Sequence, residues 1–234
     1  MKLNNYTESD LEEAILQWLS EDLGYRVAFG PDLACDGEHP ERKSYADIIL
    51  TGRCRSALER INPTIPSEAI TDALEMITAV PWLPGGLMVA NRQLHHWLTD
   101  GVDISYKGKD GLVHGDKVYL VDRHQPLNND WLAVNQYTII ENNHNRRPDI
   151  IIFVNGLPLA VFELKNPTAP QATIKSAFNQ IQTYKAEIPS LFAYNALCVL
   201  ADHVKSALVG TISADLDRFV GWKSIDGQAI AKTN

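Results

Sequence analysis

The chain has 234 residues, of which 45% are apolar and 21% charged, with 14 glycines and 12 prolines. This ordinary globular composition excludes collagen-like and low-complexity proteins and argues against a largely disordered chain. The formal net charge of −8 argues against a protein that wraps a nucleic-acid backbone with a broad basic face. At roughly 150 residues per domain, this length suits one large domain or two small ones, and we expect residues 1–234 to form a single domain.

The acidic excess is concentrated near the amino terminus. Residues 1–50 contain 11 acids and 4 bases, a balance of −7, which leaves only −1 for the rest of the chain. The cysteines Cys35, Cys54 and Cys198 form no C-x-x-C pair, so structural zinc is not expected and a reducing compartment fits. The sequence shows neither a long apolar run nor a signal-peptide pattern. We therefore expect a cytoplasmic protein without membrane contact.

The first predicted element is an amphipathic helix over residues 10–23, where apolar residues recur every three or four positions. Thr7, three residues before Asp10, offers a cap for this helix. Glu12 lies on the apolar stripe, whereas Glu13 lies off it. A glutamate on the buried side needs a partner, and a metal site and solvent at the edge of the stripe are both open alternatives.

Further elements follow a stretch rich in Gly, Pro and acids over residues 30–45, which is expected to be a loop. Helical spacing indicates helices near residues 53–60, 67–79 and 87–98, after a short apolar run at 46–50. Runs of β-branched and aromatic residues predict strands over 102–106, 117–121 and 131–140. A helix over 171–187, a short buried strand over 196–200 and an apolar stretch over 204–212 complete the pattern.

The clearest element is a β-hairpin, because residues 149–154 and 159–165 flank Asn155-Gly156, a strong turn dipeptide. Both strands are almost entirely apolar, so both faces of the hairpin should be buried beneath helices. The helix over 171–187 supplies one of these covers. The sequence therefore predicts an α/β fold in which a mixed central β-sheet is flanked by helices on both faces.

Three charged residues interrupt the apolar hairpin: Asp149 opens the first strand, and Glu163 and Lys165 end the second. Because side chains alternate along a strand, Glu163 and Lys165 point to the same face. Asp149 lies directly opposite Glu163 in only one register, and a shift of one residue sends it to the other face. A functional site here therefore requires the register of a three-residue loop, or a bulge.

Such a site would suit a divalent cation and a phosphodiester. Directly opposed carboxylates repel each other unless a cation lies between them. Mg²⁺ accepts one or two carboxylates and keeps its other positions for water and phosphate. Lys165 could then orient or deprotonate the attacking water and neutralise charge on the phosphorus. The alternative is that each charged residue simply reaches solvent at a strand end, and spacing alone leaves both interpretations open.

The hairpin also resembles a known family. Pro148-Asp149 followed by Glu163-Leu164-Lys165 resembles the signature of the PD-(D/E)xK nuclease superfamily. More specifically, the whole stretch over residues 146–167 resembles the N-terminal nuclease region of the type I restriction enzyme R subunit. Supporting matches include Glu12 ahead of Leu23-Gly24-Tyr25, the segment from Ala57-Leu58 to Asn62-Pro63, Asn91, Gly101-Val102, and Asn135-Gln136-Tyr137. The resemblance covers roughly residues 8–200.

This resemblance implies a restriction-endonuclease-like fold with a Mg²⁺-dependent cutting site formed by Asp149, Glu163 and Lys165. It also implies that Gln180 and Tyr184, which match the family's Gln-x-x-x-Tyr motif, support the site or contact DNA. Glu12 is the candidate for an additional, helix-borne metal ligand. The implied partners are double-stranded DNA and the methyltransferase and specificity subunits of a restriction-modification complex.

The family's R subunit couples ATP hydrolysis to DNA translocation, but this chain contains no G-x-x-x-x-G-K-[ST] segment. We therefore expect the chain to be a fragment of a longer R subunit, with ATP bound only by motor domains outside it. Two alternatives stay open: a non-catalytic docking domain of the R subunit, and a DNA-repair nuclease of the same superfamily.

Overall fold

The structure is a computed structural model that describes residues 7–165, 173–202 and 207–221. Positions 171–172 of the helix predicted over 171–187 lie outside the described residues, as do positions 204–206 of the predicted apolar stretch. Within the three described ranges, no helix is both long and apolar enough to cross a lipid bilayer.

The five longer helices agree closely with those predicted, and a short sixth helix was not predicted. They are α1 (Glu8–Glu21), α2 (Thr51–Ile61), α3 (Ser67–Thr78), α4 (Leu87–Asp100), α5 (Ile174–Glu187) and the short α6 (Pro189–Ala193). The predicted cap of the first helix is confirmed, because the Thr7 hydroxyl accepts from the backbone N–H of Asp10 and the Asp10 carboxylate accepts from the backbone N–H of Thr7.

Among the described residues, the strands form one large sheet and two small hairpins. The strands are β1 (Arg26–Phe29), β2 (Val102–Lys107), β3 (Val113–Val118), β4 (Trp131–Asn135), β5 (Ile139–Glu141), β6 (His144–Arg146), β7 (Ile150–Val154), β8 (Leu157–Lys165), β9 (Leu197–Asp202), β10 (Leu208–Gly210) and β11 (Val220–Gly221). The large sheet has the order β1-β4-β7-β8-β9-β10-β11, and β2–β3 and β5–β6 are separate pairs.

The large sheet is mixed, as predicted. β1 runs parallel to β4 and β8 runs parallel to β9, whereas the remaining neighbours are antiparallel. This arrangement places the β7–β8 hairpin at the centre of the sheet, where both faces can be covered.

Helices cover both faces, which confirms the predicted layering. Ile151 and Phe153 of β7 belong to the larger apolar core, to which α2, α3, α4, α5 and α6 contribute. Ile150 and Ile152, which alternate with them, belong to a second core on the other face, where Leu19 of α1 packs. Every residue of β7 is buried, so the nearly uniform apolar sequence of this strand is explained by its central position.

Two strand predictions differ from the structure, and the short strands β1, β6 and β11 were not predicted. The strand predicted over 131–140 is two strands, because the chain turns at Gln136, where φ is 55°. The strand predicted over 117–121 lies earlier, at β3. β1 was not predicted at all, because this short edge strand has mostly exposed residues and no apolar alternation.

Candidate active site

The active-site geometry depends on a bulge in the central hairpin. Asn155 and Gly156 have φ values of 52° and 76°, which suits a two-residue type I′ turn. Phe153 pairs with Pro158, but Ile152 pairs with Ala160, so Leu159 is an extra residue in β8.

This bulge sets the register of the charged residues. Beyond it, Ile150 pairs with Phe162, and the next pair in the same register is Asp149 and Glu163. A two-residue turn alone would have placed Asp149 on the wrong face. The functional interpretation of the hairpin predicts a bulge or the register of a three-residue loop, and the structure contains the bulge.

The Asp149 side chain is hydrogen-bonded to the end of β8 and is poorly solvated. Its Oδ2 atom accepts a hydrogen bond of 2.6 Å from the backbone N–H of Leu164. Burial, and then the nearby charge of Glu163, raise the pKa of Asp149 to about 7. The free energy of the charged carboxylate is thus raised in this structure, and a nearby cation would lower it.

Glu163 is more deeply buried, with only 2% of its surface exposed. Its Oε1 atom accepts a hydrogen bond of 2.5 Å from Nζ of Lys165. Its Oε2 atom is buried and has no hydrogen-bond partner among the described residues. Burial raises the pKa of Glu163, although the Lys165 ammonium opposes the rise.

Lys165 stands between two carboxylates. Besides the bond to Glu163, its Nζ lies 3.4 Å from Oε1 of Glu8, in the first turn of α1. Burial lowers the pKa of Lys165, but the carboxylates of Glu163, Glu8 and Asp149 together raise it above its usual value. These carboxylates favour the ammonium form of Lys165 in this structure.

Sequence reasoning missed Glu8. The only available signal was its position four residues before Glu12, which places both side chains on the same side of α1. The contact with Lys165 depends on where α1 crosses the end of the sheet, and helical spacing does not determine that position.

Tyr184 and Gln180 lie four residues apart on α5, the helix that covers the same face of the hairpin. Tyr184 is 4% exposed, and its hydroxyl donates to the backbone carbonyl of Arg147 at 3.4 Å. Burial, and then the charge of Glu163, raise the pKa of Tyr184, while the Gln180 side chain opposes the rise. The structure thus places Tyr184 near the acids and Gln180 beside Tyr184, and the catalytic role of both residues stays a prediction.

Glu12 faces inward, as predicted, and is 8% exposed. Its Oε1 accepts a hydrogen bond of 2.7 Å from the side-chain amide of Asn135, and its Oε2 accepts one of 3.1 Å from that of Gln136. No group of three or more His, Cys, Asp or Glu side chains within the described ranges is close enough to hold a metal ion. Glu12 as an additional metal ligand therefore stays a prediction.

The two acids by themselves fit a hard divalent cation. Mg²⁺ commonly takes one or two carboxylates and completes its shell with water and substrate oxygens. Glu163 has an unpartnered Oε2 atom, and the pKa of Asp149 is raised. Both observations indicate that the described protein groups do not fully compensate the negative charge of these carboxylates. A cation bound between these carboxylates would supply the missing partner.

Comparison with known proteins gives the family. Residues 5–215 match the family model described as the type I restriction enzyme R protein N terminus. The chain is 38% identical over 220 residues to the type I restriction enzyme HindI endonuclease subunit of Haemophilus influenzae, covering 94% of this chain and 20% of that protein.

A second relative is the type I restriction enzyme EcoprrI endonuclease subunit of Escherichia coli. It is 33% identical over 121 residues, which cover 48% of this chain and 37% of that protein. The chain thus spans a fifth of the length of the HindI subunit and little more than a third of the EcoprrI subunit. The family match over residues 5–215 and the relationship to these restriction subunits show that the chain belongs to the family of type I restriction enzyme R protein N-termini.

Proposed function

We propose that this chain is a Mg²⁺-dependent endonuclease domain that hydrolyses phosphodiester bonds of double-stranded DNA. The observation that carries the proposal is the pairing register set by the bulge at Leu159. It brings Asp149 opposite Glu163, whose carboxylate is hydrogen-bonded to Lys165 two residues further along the same strand.

The carboxylates of Asp149 and Glu163 would hold the metal. Bound Mg²⁺ would supply Lewis-acid polarisation of the scissile phosphate and lower the pKa of a coordinated water. Asp149 is oriented for this role by the backbone N–H of Leu164. Glu163 is oriented by Lys165, which leaves Oε2 available.

Lys165 would act as a cationic donor. Because its ammonium form is favoured by three carboxylates, it can orient an attacking water and donate to the phosphoryl oxygens as negative charge develops on them. The water would lose its proton to bulk solvent and attack in line, and the 3′ oxygen would leave and take up a proton from bulk solvent. Gln180 and Tyr184 would support the acids from α5 or contact the DNA backbone.

In the restriction-modification setting, domains outside this chain would bind ATP and move the DNA before cleavage. Methyltransferase and specificity subunits would supply target recognition. The family membership and the restriction-subunit relatives support this assignment.

A plasmid-cleavage assay with Mg²⁺ tests the nuclease proposal. We expect Asp149→Asn, Glu163→Gln and Lys165→Ala each to lower the cleavage rate by about 100-fold or more, because the first two variants would weaken metal binding and the third removes the cation that stabilises charge developing on the phosphoryl oxygens. Asp103→Asn is the matched control, since Asp103 is an exposed acid on β2 that pairs with Lys117 at the surface. EDTA should abolish cleavage.

The rival docking role predicts a different outcome. If Asp149→Asn and Glu163→Gln left both DNA cleavage and assembly with the methyltransferase and specificity subunits unchanged, the chain would be a non-catalytic docking domain. Calorimetric titration with Mn²⁺ provides an independent measurement, because the double variant should lose the binding heat that Asp103→Asn retains.

A further inference from the structure

A basic cleft lies at the opposite end of the central hairpin from the acids. It encloses about 950 Å³. Its lining residues are Arg26, Cys35, Pro40, Glu41, Arg42, Lys43, Gly52, Arg53, Ser56, Arg60 and Asp130. Five of these are cationic and two are acidic, which gives a local balance of +3 in a chain of net charge −8.

The position of the cleft follows from contacts of the hairpin turn. The backbone N–H of Asn155 donates to the carbonyl of Asp130, and the N–H of Leu50, just before α2, donates to the carbonyl of Gly156. The turn and Asp149 are separated by the length of β7, about 17 Å at 3.3 Å per residue. The cleft is therefore separate from the candidate active site.

The two acids of the cleft are already paired with two of its arginines. Arg53 donates to both carboxylate oxygens of Glu41, at 2.5 and 2.6 Å, and to Asp130 at 3.1 Å. Asp130 also pairs with Arg26. These pairs hold the wall of the cleft together, and they leave the charges of three other cations without an acidic partner in the lining.

Those three cations are Lys43, Arg60 and Arg42. Lys43 and Arg60 are exposed, and Arg60 is oriented by a 2.9 Å bond from its Nε to the carbonyl of Asn128. Arg42 is only 5% exposed: its Nη1 donates to the carbonyl of Thr138 at 2.7 Å and its guanidinium carbon lies 3.9 Å from the ring centroid of Tyr137, but within the described part of the chain its Nε and Nη2 atoms have no hydrogen-bond partner. Burying a cation without a counter-ion is costly, so an anion in the cleft would stabilise this wall.

The lining also indicates what kind of anion fits. Pockets for small organic ligands are lined mainly by apolar and aromatic side chains. Here seven of the eleven lining residues are charged and none is aromatic, so the cleft offers no surface on which a nucleotide base could stack. Recognition would be through phosphate groups alone, as in contacts with a nucleic-acid backbone.

We propose that this cleft binds the phosphate backbone of double-stranded DNA at a site separate from the one where the strand is cut. The inference rests on the proposed nuclease function, because it assumes that DNA is the polyanion the protein meets. Lys43 and Arg60 would contact the phosphates directly, and Arg26 would contribute from the rim.

The experiment measures binding of a short fluorescein-labelled DNA duplex to the full chain in EDTA, over a range of salt concentrations. The double variant Lys43→Ala, Arg60→Ala is compared with Arg92→Ala, Lys109→Ala. The control pair removes the same charge at exposed positions outside the cleft. All four residues are exposed, and the single variants provide the same comparison should either double variant unfold.

We expect the cleft variant to bind DNA about tenfold more weakly, and the slope of log K against log salt to become shallower by about 2 because two phosphate contacts are lost. The control variant should change affinity by less than about twofold. Equal weakening of both variants, or no weakening of either, would overturn the proposal. Displacement of the duplex by micromolar pyrophosphate or ATP would also overturn it, because the cleft would then be a small-anion site.

This test does not depend on cleavage, since EDTA removes the metal. A protein that cuts DNA but binds it equally well in all variants retains the proposed function and loses this inference. If binding depends on Lys43 and Arg60 but the protein never cuts DNA, this inference is retained and the proposed function is lost.

Discussion

Asp130 shows how a single acid in the wall of the basic cleft contributes to stability. Its side chain is 9% exposed and lies between Arg26 and Arg53. Burial raises the pKa of Asp130, but the hydrogen bonds from the two arginines outweigh burial, so its net pKa is lowered. A lowered folded-state pKa means that the charged carboxylate stabilises the fold above the unfolded-state pKa, and that this contribution is lost as the pH falls through the folded-state pKa.

We therefore expect Asp130→Asn to lower the free energy of unfolding by about 1–3 kcal/mol at pH 7, because two guanidinium groups lose their shared anion. The deficit should be constant down to about pH 4 and should shrink below it, as the wild-type carboxylate becomes protonated. Urea unfolding of both proteins at several pH values measures this difference. A deficit that grew as the pH fell would contradict the assignment.

Glu12 offers a second prediction for an individual residue. Its carboxylate accepts hydrogen bonds from the side chains of Asn135 and Gln136 at the end of β4, and the backbone N–H of Gln136 lies 3.4 Å from the carbonyl of Asp149. Glu12→Ala should cost about 1–3 kcal/mol of unfolding free energy, because the partly buried amides lose their acceptor.

The neighbouring residue provides the control for this measurement. Glu13 is exposed on the same helix, so Glu13→Ala should change stability by less than about 0.5 kcal/mol. Glu12→Gln, which keeps one acceptor oxygen, should fall between the two. Equal unfolding midpoints for Glu12→Ala and Glu13→Ala would show that the amide contacts contribute nothing to stability.

The directions of these charged side chains could be predicted from the sequence, but their contact partners could not. The shared face of Glu163 and Lys165 follows from strand alternation alone, and the inward direction of Glu12 follows from helical spacing. The contact of Glu8 with Lys165, and the amides that bind Glu12, depend on how α1 lies across the sheet. That placement is decided by packing between residues distant in sequence, so local patterns did not reveal it.

At the scale of elements, the turn of the central hairpin is the most sharply defined feature. Gly156 has a φ of 76°, and a Cβ atom there would lie 2.5 Å from the carbonyl oxygen of Leu50 and 2.8 Å from the backbone nitrogen of Cys54. Gly156→Ala should therefore destabilise the protein by about 2 kcal/mol or more, since conformational strain and backbone overlap add together.

Gly52 is the matched control, because it lies in α2 and a Cβ atom there would meet nothing within 4 Å. Gly52→Ala should be neutral or stabilising by about 0.5 kcal/mol, as alanine has the higher helix propensity. Thermal unfolding of the two variants makes the comparison. Equal effects would mean that the turn is not held against α2 as described.

Elements with a strong apolar periodicity were predicted well. Elements that are stabilised mainly by contacts with neighbouring parts of the fold were not. The five longer helices and the hairpin strands match because their apolar spacing or composition reports burial directly. β1 escaped prediction because it has one neighbour, β4, and mostly exposed side chains. The break at Gln136 was also missed, because its φ of 55° is unusual for a residue other than glycine.

At the scale of the whole molecule, the order of the sheet predicts a gradient of local stability. β7 lies between β4 and β8 and is buried along its whole length. β10, by contrast, is only partly buried and pairs on its outer side with the two-residue β11. Local opening should therefore be far easier at β10 than at β7.

Hydrogen–deuterium exchange of backbone amides tests this gradient. Amides of Ile150–Val154 should exchange only when the whole protein unfolds, and those of Leu208–Gly210 should exchange at least about 100-fold faster through local opening. Similar rates in the two strands would indicate that the sheet opens as one unit.

The extra residue Leu159 imposes a parity condition on how this hairpin can evolve. Side chains alternate between the two faces of the sheet. Inserting or deleting one residue between Asn155 and Glu163 would therefore leave Asp149 on the opposite face from Glu163 and Lys165. A second length change of the same size would reunite them. We therefore expect insertions and deletions in this hairpin to occur in pairs that restore the register, whereas substitutions of side chains are not restricted in this way.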